Sequence, residues 1–264
     1  MTYTADLELA LELANVADEI ALERFQALDL KVETKPDRSP VTDADRAVEK
    51  ALKGILAERR PDDALIGEEF GNSGSAARTW IIDPIDGTAN FMRGVPIWAT
   101  LIALAIDGKP VISVVSAPAL GRRWWAAPRT DEPTGGAFTS DIDGSVRHIH
   151  VSGISDLEHA SMSYNNLQLW DQAGLVDPLV EFSRKIWRTR AYGDFYSYML
   201  LAEGALEIVT EHDLKVYDIA ALVPIVEQAG GQFSALSGPL TSESSSVLAT
   251  NGRLHEITQA AFQL

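Results

Sequence analysis

The sequence of 264 residues contains no cysteine. Disulfide bonds, thiolate metal sites and cysteine nucleophiles are therefore excluded. It also has no apolar run as long as the roughly 18–20 residues that a membrane-spanning helix needs. The first residues, MTYTADLELALELA, carry acids where a secretory signal peptide carries lysines, so we expect a cytoplasmic protein.

Basic residues are scarce, because 22 lysines and arginines stand against 38 aspartates and glutamates, for a net charge of −16. This charge opposes non-specific binding to nucleic acids and to anionic membrane surfaces, and we expect neither as a partner. It also repels phosphate esters, unless divalent cations reverse the field around the site. Most of the charge is explained by solubility alone.

The chain is long enough to bury a full core, and its hydrophobic content of 46% is ordinary for a globular protein. Apolar spacing predicts helices over about residues 6–28 and from residue 42, followed by clustered strands to about residue 127. Helices and strands alternate in the second half, at about 193–204, 206–210, 217–229, 232–236, 247–250 and from 253. We therefore predict an α/β fold that forms one unit, with an α+β N-terminal half and an α/β C-terminal half in subdomains of about 1–145 and 146–264.

The most informative segment is WIIDPIDGTANF at residues 80–91. Two apolar residues of a predicted strand lead into Asp83, and a proline separates this acid from Asp86. Because Pro84 restricts its own backbone and that of Asp83, the turn can present two carboxylates and the carbonyl of Ile85 to one point. Oxygen ligands in such a pre-set turn suit Mg²⁺, whereas the alternative is a plain Asx turn in which Asp86 bonds to its own backbone.

The residues that follow this turn suit an anion. Gly87 lets the backbone approach a ligand closely, and residues 87–91 can open a helical turn with free N–H groups. Thr88 adds a hydroxyl group that can orient a water molecule, although a threonine here also suits a helix cap.

Further acids are candidate metal ligands, and each has a structural alternative. Glu68 ends an apolar segment and is either a metal carboxylate or a solvated strand end. Asp218 begins a later helix, and Asp43 and Asp45 lie in the first turn of the second helix, where acids commonly stabilise free N–H groups.

Taken together, these segments resemble the inositol monophosphatase family of Mg²⁺-dependent, lithium-sensitive phosphatases. The resemblance covers nearly the whole chain and rests, in order, on SPVTDADRAVEK at 39–50, IGEEFG at 66–71, DPIDGT at 83–88, RAYGD at 190–194, VYDIAA at 216–221 and EQAGG at 227–231. It implies the layered α-β-α-β-α sandwich that this family shares with fructose bisphosphatase.

Carried over by position, the resemblance implies metal ligands at Glu68, Asp83, the Ile85 carbonyl, Asp86 and Asp218. It implies that Thr88 and Asp45 activate the attacking water together with Glu68, and that the amides of Gly87 and Thr88 bind phosphate. It further implies two or three Mg²⁺ ions per site, inhibition by Li⁺, no phosphoenzyme and a homodimer. Tyr217 stands where these proteins usually have tryptophan, and we expect altered packing without lost chemistry.

The resemblance further implies that substrate choice depends on Arg190, Gly193, Asp194 and Glu211. The stretch RAYGDFYSY resembles the RTWGDxxGY pattern of the family's histidinol-phosphate phosphatases. Two carboxylates suit the ammonium and imidazole groups of histidinol phosphate better than the hydroxyl groups of inositol. We therefore predict hydrolysis of histidinol phosphate, a step of histidine biosynthesis, unless Asp194 only caps a helix.

Alternative functions remain open at this stage. The first is an inositol or broad sugar monophosphatase, and a phosphatase of bisphosphate nucleotides is disfavoured by the shortage of basic residues. The second is a non-catalytic metal-binding or phosphate-binding protein, although no candidate ligand is missing.

Other conspicuous side chains are expected to have no role in the site. We expect the run of Arg122, Arg123, Trp124 and Trp125 to pack in the sheet or at a subunit interface. The five histidines are expected to be structural or at the surface.

Overall fold

The computed structural model of the protein describes residues 3–36, 38–128 and 135–262. Its helices are α1 Thr4–Arg24, α2 Asp43–Arg59, α3 Thr88–Phe91, α4 Leu167–Gln172, α5 Val176–Ser183, α6 Asp194–Ala202, α7 Val216–Ile219, α8 Leu222–Gln228 and α9 His255–Phe262. Its strands are β1 Val32–Thr34, β2 Pro40–Thr42, β3 Ala64–Gly67, β4 Gly71–Ser73, β5 Arg78–Asp86, β6 Ala99–Ile106, β7 Lys109–Ala117, β8 Arg122–Ala127, β9 Gly136–Ser140, β10 Val146–His148, β11 Ser161–Tyr164, β12 Arg188–Arg190, β13 Ile208–His212, β14 Gln232–Ala235 and β15 Ser246–Thr250.

Helices and sheets alternate in layers. Within the described residues, α1 and α2 cover one face of a large sheet of eight strands, in the order β10-β9-β8-β7-β6-β5-β3-β4. The other face packs on α6, α7 and α8, which also cover the small sheet, formed in the described part of the chain by five strands in the order β12-β11-β13-β15-β14. The far face of the small sheet packs on α4, α5 and α9. The predicted α-β-α-β-α sandwich is confirmed.

β5 is buried on both faces, which explains its nearly continuous apolar sequence. Trp80 and Ile82 pack toward α1 and α2, whereas Ile81 packs toward the central helices. The antiparallel pairing of β5 with β6 is interrupted between Asp83 and Asp86. This irregularity places both acids at the end of a buried strand.

Two predicted helices differ from the structure for local reasons. The helix expected over 217–229 is divided into α7 and α8. Pro224 lacks the N–H that would bond to the carbonyl of Ala220, and its ring crowds that carbonyl. The helix is therefore interrupted between α7 and α8. The first helix ends at Arg24 instead of residue 28, because Gln26 adopts a left-handed backbone with φ of 63°.

The layers of the fold do not show whether the chain divides into two subdomains near residue 145, so this division stays a prediction. β10 still pairs with β9 in the large sheet, and the small sheet begins with β11. The sequence predicted no elements between residues 146 and 190, where β10, β11, α4, α5 and β12 lie. None of the helices in the described ranges is long and apolar enough to cross a membrane.

Candidate metal centre

Three carboxylates from distant parts of the chain meet at the end of β5. Asp83 and Asp86 flank the interruption in the strand and Asp218 comes from α7, and one oxygen of each lies within 4.8 Å of the others. Asp83 Oδ1 accepts the N–H of Ile85 at 3.0 Å, so an Asx turn is present, but on Asp83. Asp218 Oδ2 accepts the N–H of Lys215 at 2.6 Å at the start of α7. The same acids therefore stabilise local turns and form a shared cluster.

A second acidic cluster lies nearby and holds a lysine. Asp45, Glu68 and Glu69 each bring an oxygen within 4.8 Å of the others. The Nζ atom of Lys35 lies 2.7 Å from Glu68 Oε1 and 2.5 Å from Glu69 Oε1. Burial disfavours the charged ammonium group, but the hydrogen bonds to both glutamates outweigh this and raise the pKa of Lys35.

Sequence reasoning missed three residues of this region. Lys35 lies in a polar connector without a distinguishing motif, whereas the adjacent acids of GEE were a signal for Glu69. Glu49 is fully buried on α2, and its carboxylate accepts the N–H of Glu69 at 2.7 Å and of Phe70 at 2.9 Å. An acid within the apolar stripe of a helix is the signal that points to such a role. Glu49 therefore fixes the turn that carries Glu68.

Asp45, and not Asp43, reaches the DPIDGT loop. The Oγ1 atom of Thr88 lies 3.2 Å from Asp45 Oδ1 and 2.9 Å from the carbonyl oxygen of Ile85, so its proton can go to either acceptor. Asp45 Oδ2 accepts the N–H of Thr42 at 2.8 Å and its hydroxyl at 2.5 Å, which closes a capping box on α2. Burial raises the pKa of Asp45 to about 6. Asp43 instead pairs with Arg24 at 2.9 Å.

The turn after Asp86 has a left-handed backbone conformation, which favours glycine. Gly87 is in the left-handed region, with φ of 82°, and precedes the short helix α3. The N–H groups of Asn90 and Phe91 donate to the Gly87 carbonyl at 2.8 and 3.0 Å and close the turn. The first amides of a helix have no partner within it, so those near Gly87 and Thr88 suit an anion.

The electrostatics of the three-aspartate cluster favour a bound cation. Burial raises the pKa of Asp218 to about 7. Burial also raises the pKa of Asp83 and Asp86 well above the usual range, and the charges of Glu68 near Asp83 and of Asp194 near Asp86 add to the effect. The fold thus holds mutually repelling carboxylates in an all-oxygen donor set, which fits the ligand preference of Mg²⁺.

α6 brings the predicted substrate residues to the same place. The N–H of Phe195 donates to Asp86 Oδ2 at 2.7 Å. Asp194 does not cap α6, and its Oδ2 accepts a hydrogen bond from Asn90 Nδ2 at 2.9 Å. Burial raises the pKa of Asp194 to about 6. Burial, followed by the charge of Asp194, also raises the pKa of Glu211, whose Oε2 accepts the hydroxyl of Tyr198 at 3.1 Å.

A cavity of about 610 Å³ is lined by residues that include Gly193, Asp194, His212 and Asp218, and Glu211 directly precedes the lining residue His212 in β13. His212, expected to be structural or at the surface, is buried beside this cavity. A larger cavity of about 770 Å³ lies behind α7 and contains none of the predicted site residues. The smaller one adjoins the acids, and it is therefore the candidate substrate pocket.

Arg190, predicted to bind substrate, does not line this cavity. Its exposed guanidinium donates to the carbonyl of the neighbouring Thr189 at 2.7 Å.

The expected packing role of the 122–125 run agrees with the structure of β8. Trp124 is fully buried, and its Nε1 donates to Glu203 Oε1 at 2.7 Å, while Arg122 pairs with the same carboxylate at 3.0 Å.

Sequence comparison places this architecture in a known family. The sequence profile of the inositol monophosphatase family matches residues 3–263. The chain belongs to the inositol monophosphatase family. Its fold agrees with that of an inositol monophosphatase from Zymomonas mobilis, with a TM-score of 0.85, 36% identity and complete coverage of both chains.

Two relatives within this family are named histidinol-phosphatases. The protein from Streptomyces coelicolor is 50% identical over 258 residues, which are 96% of this chain and 95% of the relative. The protein from Mycobacterium tuberculosis is 51% identical over 253 residues, which are 95% of each chain. An inositol-1-monophosphatase from Mycobacterium leprae is 32% identical over 213 residues, 76% of this chain and 70% of the relative.

The acidic clusters predict an unusual pH dependence of stability for this inositol monophosphatase family member when Mg²⁺ is removed. A carboxylate whose pKa is raised by folding holds its proton more tightly in the folded state, so the free energy of unfolding falls as pH rises through the folded pKa. The window from pH 6.5 to 8 covers Asp218, with a pKa of about 7. Calorimetry in EDTA should show a melting temperature that decreases across this window.

The controls are Mg²⁺ addition and Asp218→Asn. Saturating Mg²⁺ should raise the melting temperature and flatten its pH dependence, and the variant should show a smaller decrease without metal. Burial lowers the pKa of His212 and His255, so these histidines bind protons more readily in the unfolded chain and oppose the decrease near pH 6.5. The comparison with Asp218→Asn cancels their contribution, and a decrease in the metal-free wild type that is no larger than in this variant would contradict the account.

Proposed function

We propose that this protein is a Mg²⁺-dependent phosphomonoesterase that hydrolyses histidinol phosphate to histidinol and phosphate. The observation that carries the substrate choice is a pair of carboxylates beside the candidate metal centre, the half-buried Asp194 and the buried Glu211. The relatives named histidinol-phosphatase, at 50% and 51% identity, support the same substrate.

The two carboxylates favour a cationic alcohol for a simple electrostatic reason. Glu211 is only 2% exposed, and its Oε1 has no hydrogen-bond partner among the residues that the structure describes. An unpaired buried carboxylate is costly, and a bound ammonium group relieves that cost with a charge-assisted hydrogen bond. Histidinol phosphate brings an ammonium and an imidazole group, whereas inositol phosphate brings only neutral hydroxyl groups. The pair therefore discriminates against a neutral alcohol.

The metal ligands are proposed to be the carboxylates of Glu68, Asp83, Asp86 and Asp218 and the carbonyl of Ile85. When bound there, Mg²⁺ supplies neutralisation of the phosphate oxygens and lowers the pKa of the attacking water. The proposal is supported by the all-oxygen donor set and by the raised pKa values of the aspartates, which show that their charged form is unfavourable when no cation is bound.

The chain's own groups then position the reactants. The Thr88 hydroxyl donates to Asp45 and uses a lone pair to orient the attacking water, which transfers a proton toward this pair. The oxygen of the water forms a bond to phosphorus while the ester P–O bond breaks. The departing histidinol oxygen takes up a proton from solvent, and the Thr88–Asp45 pair returns to solvent the proton that it received from the attacking water. The amides of Gly87 and Thr88 contact the phosphate, and Asp194 and Glu211 hold the alcohol. Positioning and charge neutralisation supply the catalysis, without a phosphoenzyme.

The finer properties are proposed from the family resemblance. We infer two or three Mg²⁺ ions per site, inhibition by Li⁺ and assembly as a homodimer. The two neighbouring acidic clusters support more than one ion, because one centres on Asp83, Asp86 and Asp218 and the other on Asp45, Glu68 and Glu69.

The substrate proposal predicts a strong preference among phosphate esters. With Mg²⁺, kcat/KM for histidinol phosphate should exceed that for inositol 1-phosphate by about 100-fold or more, because two charge-assisted contacts are lost with the neutral alcohol. Phosphate release from these substrates, fructose bisphosphate and a nucleotide bisphosphate gives the comparison. Faster hydrolysis of inositol phosphate would establish the broader monophosphatase instead, and no turnover of any ester would favour a binding protein.

The metal assignment predicts the effect of Asp83→Asn. This variant keeps the size of the side chain and removes one negative charge from the centre, so turnover should fall at least about 100-fold at saturating substrate. Glu243→Gln, which removes the charge of an exposed acid in the loop between β14 and β15, should retain wild-type turnover. Full activity of Asp83→Asn would exclude the assigned metal centre, provided that circular dichroism shows both variants folded.

A further inference from the structure

Asn90 links the DPIDGT loop to the substrate side of the site. Its Nδ2 donates one hydrogen bond to Asp194 Oδ2 at 2.9 Å and another to the carbonyl oxygen of Ile97 at 2.9 Å. A side-chain amide has two N–H donors, so both are used. In the ranges 3–36, 38–128 and 135–262, Asn90 is the one group whose hydrogen bond to the Asp194 carboxylate the structure records.

The backbone at Asp194 is strained, with φ of 50° for a residue that is not glycine. Such a conformation persists where the surrounding structure over-determines it, and it is concentrated at functional sites. α6 meets this condition, because its beginning is held by the Phe195 N–H on Asp86 at 2.7 Å. The residue after its end, Glu203, accepts the indole N–H of Trp124 at 2.7 Å. The backbone of Asp194 is therefore fixed, and what remains adjustable is the direction of its carboxylate.

The loop backbone also restricts that carboxylate. A Cβ atom added to Gly87 would lie 3.2 Å from Asp194 Oδ2 and 3.0 Å from the Ile97 carbonyl oxygen. The glycine thus leaves the space in which Asp194 and Ile97 approach the loop, and Asn90 bridges the same two groups. Loop, asparagine and carboxylate form one packed unit.

We propose that Asn90 is a positioning residue for substrate selection, because it fixes the orientation of the Asp194 carboxylate beside the substrate pocket. Asn90 itself does not contact the reacting phosphate. Its substitution weakens recognition of a cationic alcohol more than it weakens hydrolysis of the phosphate ester. This inference rests on the proposed preference for histidinol phosphate.

A double-mutant cycle tests the inference on the Mg²⁺-loaded enzyme. The readout is the preference ratio, kcat/KM for histidinol phosphate divided by kcat/KM for glycerol 2-phosphate, whose alcohol is neutral. Asn90→Ala and Asp194→Asn should each lower this ratio about tenfold, the size expected for one hydrogen bond to a charged group. Asparagine is chosen at position 194 because it tolerates the left-handed backbone. The matched control is Gln172→Ala, which removes an exposed side-chain amide at the end of α4 and should leave the ratio unchanged.

The double variant decides between positioning and a general structural role. If Asn90 acts through Asp194, the double variant has the same ratio as Asp194→Asn alone, and the loss for Asn90→Ala appears mainly in KM for histidinol phosphate. Multiplying losses, or an equal loss of kcat for both esters, would overturn the inference and leave the proposed function intact. A wild-type enzyme without preference for histidinol phosphate would overturn both. If Asn90→Ala fails to fold, Asn90→Ser replaces it in the double-mutant cycle, and the preference ratio of the double variant is again compared with that of Asp194→Asn alone.

Discussion

Repulsion among buried carboxylates at the end of β5 is the constraint on which the rest of the structure depends. Asp83, Asp86 and Asp218 each bring an oxygen within 4.8 Å of the others, and burial raises the pKa of all three. Charges of one sign in a low-dielectric site repel strongly unless protons or a metal ion compensate them. The cluster is therefore unfavourable by itself, and a divalent cation makes it favourable.

The layered fold explains how such a cluster is held. The large sheet supplies Asp83 and Asp86 from β5, and the central helical layer supplies Asp218 from α7 and Phe195 from α6. Since the Phe195 N–H bonds to Asp86, the substrate side and the metal side share one hydrogen bond across 109 residues of sequence. Changes of substrate recognition and changes of metal binding are consequently coupled in this architecture.

The acids that meet in the two clusters lie in short segments that match the family's motifs, and their role as metal ligands stays a prediction. A strand, a proline and two aspartates indicate the turn, and the position of Asp45 before Ala47-Val48-Glu49-Lys50 distinguishes it from Asp43. The contacts of Lys35 with Glu68 and of Asn90 with Asp194 could not be predicted, since each joins residues far apart in sequence and leaves no local pattern. The acid within the apolar stripe of α2 signals a buried role for Glu49 but not its partners. For Arg190 a motif match was not enough to predict the contact of the side chain. This residue belongs to a family motif, but its guanidinium donates to the carbonyl of Thr189 in its own strand, β12.

The central claim is that these carboxylates hold protons when no metal is bound and exchange them for Mg²⁺. The most direct measurement is calorimetric titration of Mg²⁺ into EDTA-treated protein, in pairs of buffers with different ionisation enthalpies, at pH 6.5 and 8. Because metal binding requires deprotonated ligands, the account predicts proton release that is larger at pH 6.5 than at pH 8. Binding heats that are independent of the buffer at both pH values would contradict it.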